Sequence, residues 1–545
     1  DKRGQEEFEL ALKYEKGDGV EQDLFEAAEH LQTAASLNHT GAMVKLGKAY
    51  QCGCGVMKDI DKAMELFKQA ESMGDTDGMM ELGHCCEKGV GVTSDPDEAM
   101  RLYTKAADKG NSDAMFRLGC MLFDGRVISE NKYKAIKWWT KASEKGNVTA
   151  MKKLIDCYEN GDGVEKDFKK AVHFMEMASD KGDEESMMRL ARHFEDGDYV
   201  ETDLDKAYEL FKKAFGCQTK DTCVVSNEGR KDKDELMFET WERLAMKGHA
   251  GSLNALGVCY ITGQGVTQNK KKAFELFEKA MKKGVVNALF NAGMCYHKGE
   301  GVAQDKVKAF DCVLKAAKCG HVDAMLQVGW CYDNGHGVTQ DFTKAFEWYL
   351  KSADNGNVLA MYNVGLCYKR GEGVTQDLTK AFEWWLKSAN NGNTDAMNNV
   401  GLCYKRGEGV AQDKTKAFEW FLKSANNGNT DAMFDVGCCY SSGEGVTQDL
   451  TKAYEWYLKA ANNGNIDALR NVGLCYSKGE GVTQDFNKAF EWFMKSANKG
   501  NVDGMYYVGC CYNNGEGVVQ NLTKAFEWYL KSADKGNADA MYYVG

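Results

Sequence analysis

An all-α chain of stacked helix pairs is the fold class this sequence predicts, and three observations carry it. Gly-x-Gly-Val or a close relative begins at Gly17, Gly53, Gly89, Gly125, Gly161 and Gly197, then at Gly263, Gly299, Gly335, Gly371, Gly407, Gly443, Gly479 and Gly515, spaced 36 residues apart within each run. Six residues after each of these glycines stands Asp or Asn, and four residues later Ala, in all fourteen cases. The 545 residues hold a single proline, Pro96, so almost nothing interrupts helices inside the periodic segments. A fixed internal period of this kind means a repeat array rather than the separate globular domains that chain length alone suggests.

Within one period the residues read as a turn and two helices. The loop glycines accept positive φ without steric cost. Gly125-Arg126-Val127-Ile128 and Gly197-Asp198-Tyr199-Val200 lack the second glycine, so those turns need another solution. The Asp or Asn that follows, such as Asp23, Asp341 or Asn521, is an N-cap whose side-chain oxygen accepts from free N–H groups of the next helix. Helix B starts there, and Phe346, Trp348 and Tyr349 after Ala345 form its packing face. Glu347 and Lys351, Glu383 and Lys387, and Glu419 and Lys423 stand four apart in the favourable order and are expected to pair on a solvated outer face. Gly356, Gly392, Gly428 and Gly464 close helix B in the left-handed conformation. Helix A follows, as in Ala360-Met361-Tyr362-Asn363-Val364-Gly365-Leu366-Cys367-Tyr368, with Ala360 and Gly365 small enough for neighbouring backbones to approach.

The pattern A-M-x-x-V-G-x-C-Y-x-x-G-x-G-V-x-x-D-x-x-K-A-F-E-W-x-x-K-S-A-x-x-G-N, seen from Ala360 to Asn393, resembles Sel1-like repeats, relatives of the tetratricopeptide repeat. The likeness covers nearly the whole chain. It implies a right-handed α/α superhelical solenoid with helix A lining the concave surface and helix B the convex one. It also implies adaptor roles, including subunits of membrane-associated assemblies and of endoplasmic-reticulum quality control.

The period breaks once. Gly197 to Gly263 is 66 residues, 30 more than one period. Asp203 to Ala214 reads as helix B of the sixth repeat, Cys217 to Glu235 is polar without an apolar period, and Leu236 to Gly248, with Trp241, reads as another helix B. A degenerate fifteenth repeat beside the fourteen regular ones accounts for this; a plain loop insertion is the alternative. The expected organisation is therefore a repeat stack over 1–214, an irregular segment over 215–248 and a second stack over 249–545. Gly545 matches Gly365 in register, so further repeats or a partner are expected to cover that end.

Net charge is −12, which by our count divides into −13 over residues 1–250 and +1 over 251–545. That balance argues against a nucleic-acid scaffold. No window approaches 18 uninterrupted apolar residues and the opening DKRGQEEFEL resembles no targeting segment, so no membrane span is expected. Ten of the twenty cysteines (Cys85, Cys157, Cys259, Cys295, Cys331, Cys367, Cys403, Cys439, Cys475, Cys511) share one helix A position. Equivalent positions of stacked repeats lie roughly 10 Å apart, too far for a disulfide, so these thiols read as small buried hydrophobes. The cysteine-rich bacterial Sel1-like proteins, with their reported β-lactam binding, pair cysteines seven residues apart across a repeat, and that pairing is missing here. Without C-x-x-C, or histidines recurring at zinc spacing, no metal or cofactor is expected. Many unpaired thiols favour a reducing, cytoplasmic compartment, with the secretory route and the endoplasmic-reticulum lumen left open. Nucleophile elbow, P-loop, H-E-x-x-H and converging acid pair are all missing, so the chain reads as non-enzymatic.

Candidate binding residues are those that vary while their neighbours repeat. One helix A position reads Asn291, Gln327, Asn363, Asn399, Asp435 and Asn471; the position before it reads Phe290, Leu326, Tyr362, Asn398, Phe434, Arg470, then Tyr506 and Tyr542. A row of carboxamides can donate to and accept from the backbone of an extended peptide, while the aromatics pocket its side chains. The competing reading packs one position between repeats and leaves the other solvated. Lys369-Arg370 and Lys405-Arg406, beside the loops, either receive an acidic segment or form a solvated face. The function expected is a protein–protein interaction scaffold or adaptor that binds on its concave groove or at an open end. The alternatives are a structural subunit binding by its outer surface and a small-ligand or β-lactam-type hydrolase.

Overall fold

The computed structural model describes residues 2–125, 131–217 and 231–544. Among them every regular element is an α-helix. The chain divides into two compact units, Asp1–Gln268 and Asn269–Gly545.

In the second unit the pairing is regular, as in helix A Val322–Asn334 with helix B Phe342–Asp354, or Val358–Arg370 with Leu378–Asn390. Local chemistry sets the boundaries. Asp377 accepts from the Lys380 N–H at 3.0 Å to open helix B, and Gly371, at φ 71°, donates to the Cys367 carbonyl at 2.8 Å to close helix A. Between them Gln376 donates through Nε2 to the Lys369 carbonyl at 2.7 Å. The same brace recurs at Gln304, Gln340, Gln412, Gln448, Gln484 and Gln520.

The second loop glycine serves packing as well as turning. Gly373 has φ 73°, and a methyl group there would overlap the carbonyl oxygen of Phe342, the first residue of the preceding helix B. Gly365 departs from expectation. Instead of letting two backbones approach, it makes room for the buried Trp385 ring of its own repeat's helix B, which a methyl group would strike. Burying a large ring contributes about 2–3 kcal/mol, which outweighs the roughly 1 kcal/mol that glycine costs a helix.

In the first unit the loop at Gly197 finds its own solution. Tyr199 takes φ 68°, and its ring stacks on Phe168 with centroids 3.6 Å apart. Residues 126–130, the other degraded loop, lie outside the described residues, as do 218–230 within the break. A helix runs Lys231–Met246, opening inside the stretch expected to be irregular because Asp232 and Asp234 place acid in its first turn. Trp241 is fully buried, with the Tyr208 and Phe215 rings at 4.9 and 5.7 Å. A methyl on Gly265 would overlap the Asp234 carbonyl, so this helix stands to the following loop as Phe342–Asp354 stands to Gly373.

All ten helix A cysteines of the repeated position are buried. Burial pushes their thiols up, to about 11 for Cys403 and about 12 for Cys367 and Cys511. Cys52 and Cys54 are joined by a disulfide, a local bridge that comparison of equivalent repeat positions does not address.

Candidate functional site

The helix A row of the second unit rests on ties between repeats. Asn357 caps its helix by accepting from the Ala360 N–H at 2.9 Å and donates through Nδ2 to Asp323 of the preceding repeat at 2.8 Å. Asn429 with Asp395, Asn465 with Asp431, Asn501 with Asp467 and Asn537 with Asp503 repeat the tie at 2.7–3.0 Å. Ser352, Ser388, Ser424 and Ser532 each donate from helix B to the first carbonyl of their own helix A at 2.7–2.9 Å. Sequence reasoning passed over both ties, although Asn and Asp stand two residues apart at the helix A starts of Asn393, Asn429, Asn465, Asn501 and Asn537.

On that frame the two variable positions behave differently. Phe290, Tyr362 and Arg470 of the first position reach toward the following repeat. Phe290 stacks on His321 at 4.6 Å, the Tyr362 hydroxyl hydrogen-bonds Asn399, and the Arg470 guanidinium meets the Asp503 carboxylate. Asn398 is buried, with its Oδ1 unbonded. Phe434 lies 5.8 Å from Tyr457, and Tyr506 lies among Tyr507, Tyr529 and Tyr543 at 5.4–6.2 Å.

The second position, Asn291, Gln327, Asn363, Asn399, Asp435 and Asn471, is half-buried throughout. Asn399 is taken up by Tyr362, and Asn471 by the Tyr457 hydroxyl and by Arg470 Nε at 3.2 Å. Neither Gln327 nor Asn363 spends its amide on another described residue. Burial raises the Asp435 carboxyl to about 6, against the pull of Lys405 and Arg406.

The basic pairs are partly answered by their own loops. Arg370 faces Glu372 at 3.4 Å and Arg406 faces Glu408 at 3.7 Å, while the Lys369 ammonium lies 5.5 Å from the Trp385 ring. The outer face also differs from expectation. Lys351, Lys387 and Lys423 leave Glu347, Glu383 and Glu419 and lie over the rings of Trp348, Trp384 and Trp420 at 4.6, 4.3 and 4.9 Å. A ring face one turn back offers the ammonium cation–π attraction and an apolar surface for its stem, whereas an exposed carboxylate is well hydrated. The row continues at Lys459, Lys495 and Lys531.

Fourteen segments, from 7–39 to 502–537, match the model of the Sel1 repeat. The chain belongs to the Sel1 repeat family. Among solved structures it is similar to c5321, a protective antigen of uropathogenic Escherichia coli with an SLR fold. Identity is 26%, the match covers 88% of this chain and 97% of that one, and the TM-score is 0.50. A Sel1 repeat protein from Oxalobacter formigenes is 30% identical over 60% of this chain and 96% of its own, with a TM-score of 0.47. No curated protein matches the chain significantly. Sel1 repeats build solenoid-like stacks that serve generally as protein–protein interaction scaffolds and are generally non-catalytic. Among the described residues no helix is long and apolar enough to cross a membrane.

Proposed function

We propose that this Sel1 repeat protein is a non-enzymatic scaffold whose helix A face, around Gln327 and Asn363, holds an extended segment of a protein partner. One observation carries the reading: these two carboxamides occupy the same position of successive repeats, half-buried, with amide groups that no described residue engages. Such a group offers one acceptor and two donors to a peptide backbone. Leu326 and Tyr362 beside them supply apolar contact for its side chains. Because Glu372 and Glu408 answer the neighbouring arginines, the segment is read by its backbone more than by acidic side chains.

A second reading, assembly through the outer face, draws support from the row of lysines held over tryptophans on helix B. One experiment separates the two. Peptides selected by display on the full chain are measured against the parent and a Gln327→Ala/Asn363→Ala variant, with a photo-crosslinker placed at 363 or at 387. Each backbone contact contributes on the order of 1 kcal/mol, so the double variant is expected to bind tenfold to a hundredfold more weakly while melting almost unchanged. Equal binding by both proteins, with crosslinking only from 387, overturns the helix A reading in favour of the outer face.

A further inference from the structure

Three side chains that leave the repeat pattern meet in one place. The middle residue of the Gly-x-Gly loop is Glu at 300, 372, 408, 444, 480 and 516, but His at 336. The helix A position filled by Met294, Leu366, Leu402, Cys438, Leu474 and Cys510 holds Trp330 in that same repeat. His297 comes from the preceding repeat, at the position of Lys369, Lys405, Ser441 and Ser477. Stacking of the repeats brings the three together. Ring centroids are 6.0 Å apart for His297 and His336, 5.4 Å for His297 and Trp330, and 4.5 Å for Trp330 and His336.

The two imidazoles are chemically unspent. Nδ1 of His336 is buried without a hydrogen-bond partner, and no ring nitrogen of His297 bonds another described residue. Buried polar atoms are satisfied in the great majority of cases, so a bare nitrogen on a ring whose neighbour is a second imidazole, 6.0 Å away between centroids, calls for a ligand. We propose that His297 and His336 together bind a divalent transition-metal ion of the kind that takes imidazole nitrogen, with Trp330 as the apolar wall and water completing the coordination.

A centroid separation of 6.0 Å suits two rings that each place a nitrogen about 2 Å from a shared ion, and imidazole is a good ligand for zinc and nickel. Lys306 and Lys298 also stand close to His297. Among the described residues no group of three or more His, Cys, Asp or Glu gathers for a metal. The site therefore has two protein ligands, and with two lysines near it binds far more weakly than a closed four-ligand site.

Nickel chloride is the probe. The full chain is titrated by calorimetry while the histidine Cε1–H signals are followed by NMR, alongside His336→Gln and His297→Ser. Both variants install residues that other repeats carry there, Gln264 and Ser441, so the stack is expected to melt normally. One Ni2+ per chain is expected, broadening first the two signals that the variants remove, with each variant binding at least tenfold more weakly. The proposal is overturned if the parent takes up no Ni2+, if other histidine signals broaden first, or if both variants keep the parent's affinity.

Discussion

Asn357 joins two repeats with one side chain: its Oδ1 caps its own helix on Ala360 N–H, and its Nδ2 donates to Asp323 at 2.8 Å. The tie spans 34 residues and recurs along the second unit. The helix A register that aligns Gln327 with Asn363 thus rests on a polar ladder as well as on apolar packing. Asn357→Ala loses both functions, whereas Asn357→Ser keeps a cap but cannot reach Asp323. Losing a cap costs about 1 kcal/mol, so Ala is expected to lower stability by about 1–2 kcal/mol and Ser by roughly half of that. Chemical denaturation measures both, and a Ser variant with the parent's midpoint would show that the tie to Asp323 contributes nothing.

Gly356 and Gly373 separate the cost of conformation from that of packing. Both have positive φ, 89° and 73°, but a methyl group on Gly356 meets nothing within 4 Å, whereas one on Gly373 overlaps the Phe342 carbonyl. Gly356→Ala is expected to cost about 1 kcal/mol, the left-handed penalty alone. Gly373→Ala adds a backbone displacement between repeats, for about 3 kcal/mol or more in all. Comparing their denaturation midpoints checks the difference, which vanishes if the loops can shift freely.

Helix boundaries were legible in the sequence because caps and C-terminal glycines act within a few residues of where they stand. Asp377 and Gly371 do what their positions announce. Contacts between repeats were not legible, since they depend on the rotation from one repeat to the next. That rotation sends Tyr362 to Asn399 and brings His297 to His336 across 39 residues. The outer lysines were misread for another reason: an i,i+4 carboxylate is conspicuous in sequence, whereas a tryptophan ring three residues back competes with it only once the ring lies against the preceding repeat. The Asn and Gln row could be located by its variation but not partitioned into bonded and unbonded members, because that depends on which aromatic stands one repeat away.

Asp435 gives the row a pH signature. Burial raises its carboxyl to about 6, above the roughly 3.9 of an unfolded chain. The folded state favours the neutral acid, so the contribution of this group is complete below about pH 4 and is lost as pH rises through 6. Asp435→Asn, the residue at Asn363 and Asn399, removes that loss. The variant is expected to be more stable than the parent at pH 7.5, by about 1–2 kcal/mol once solvent screening is allowed for, and equal to it near pH 4. Thermal melts at the two pH values test this. A variant less stable at pH 7.5 would show that Asp435 is held as a carboxylate by Lys405.

The helix A thiols make the opposite end of the pH scale informative. Burial lifts Cys367 and Cys511 to about 12 and Cys331, Cys403, Cys439 and Cys475 to about 11, against about 8.5 for a free cysteine. In the folded state each keeps its proton to higher pH than in the unfolded chain, so between about pH 8.5 and 11 the native state binds more protons and stability must fall as pH rises. Neutral buried thiols are also poor nucleophiles. At pH 8 iodoacetamide is therefore expected to label exposed Cys319 well before any of this group, and the group to react together only as the chain opens. Exchanging Cys367 and Cys403 for Ala should flatten the fall of melting temperature between pH 8.5 and 10 while lowering it at pH 7, since each exchange removes a buried sulfur. If the slope is the same with and without these thiols, lysine and tyrosine ionisation alone governs the alkaline limb. Labelling of the whole group at the rate of Cys319 would mean that the helix A cysteines line an open surface rather than the seam between helices.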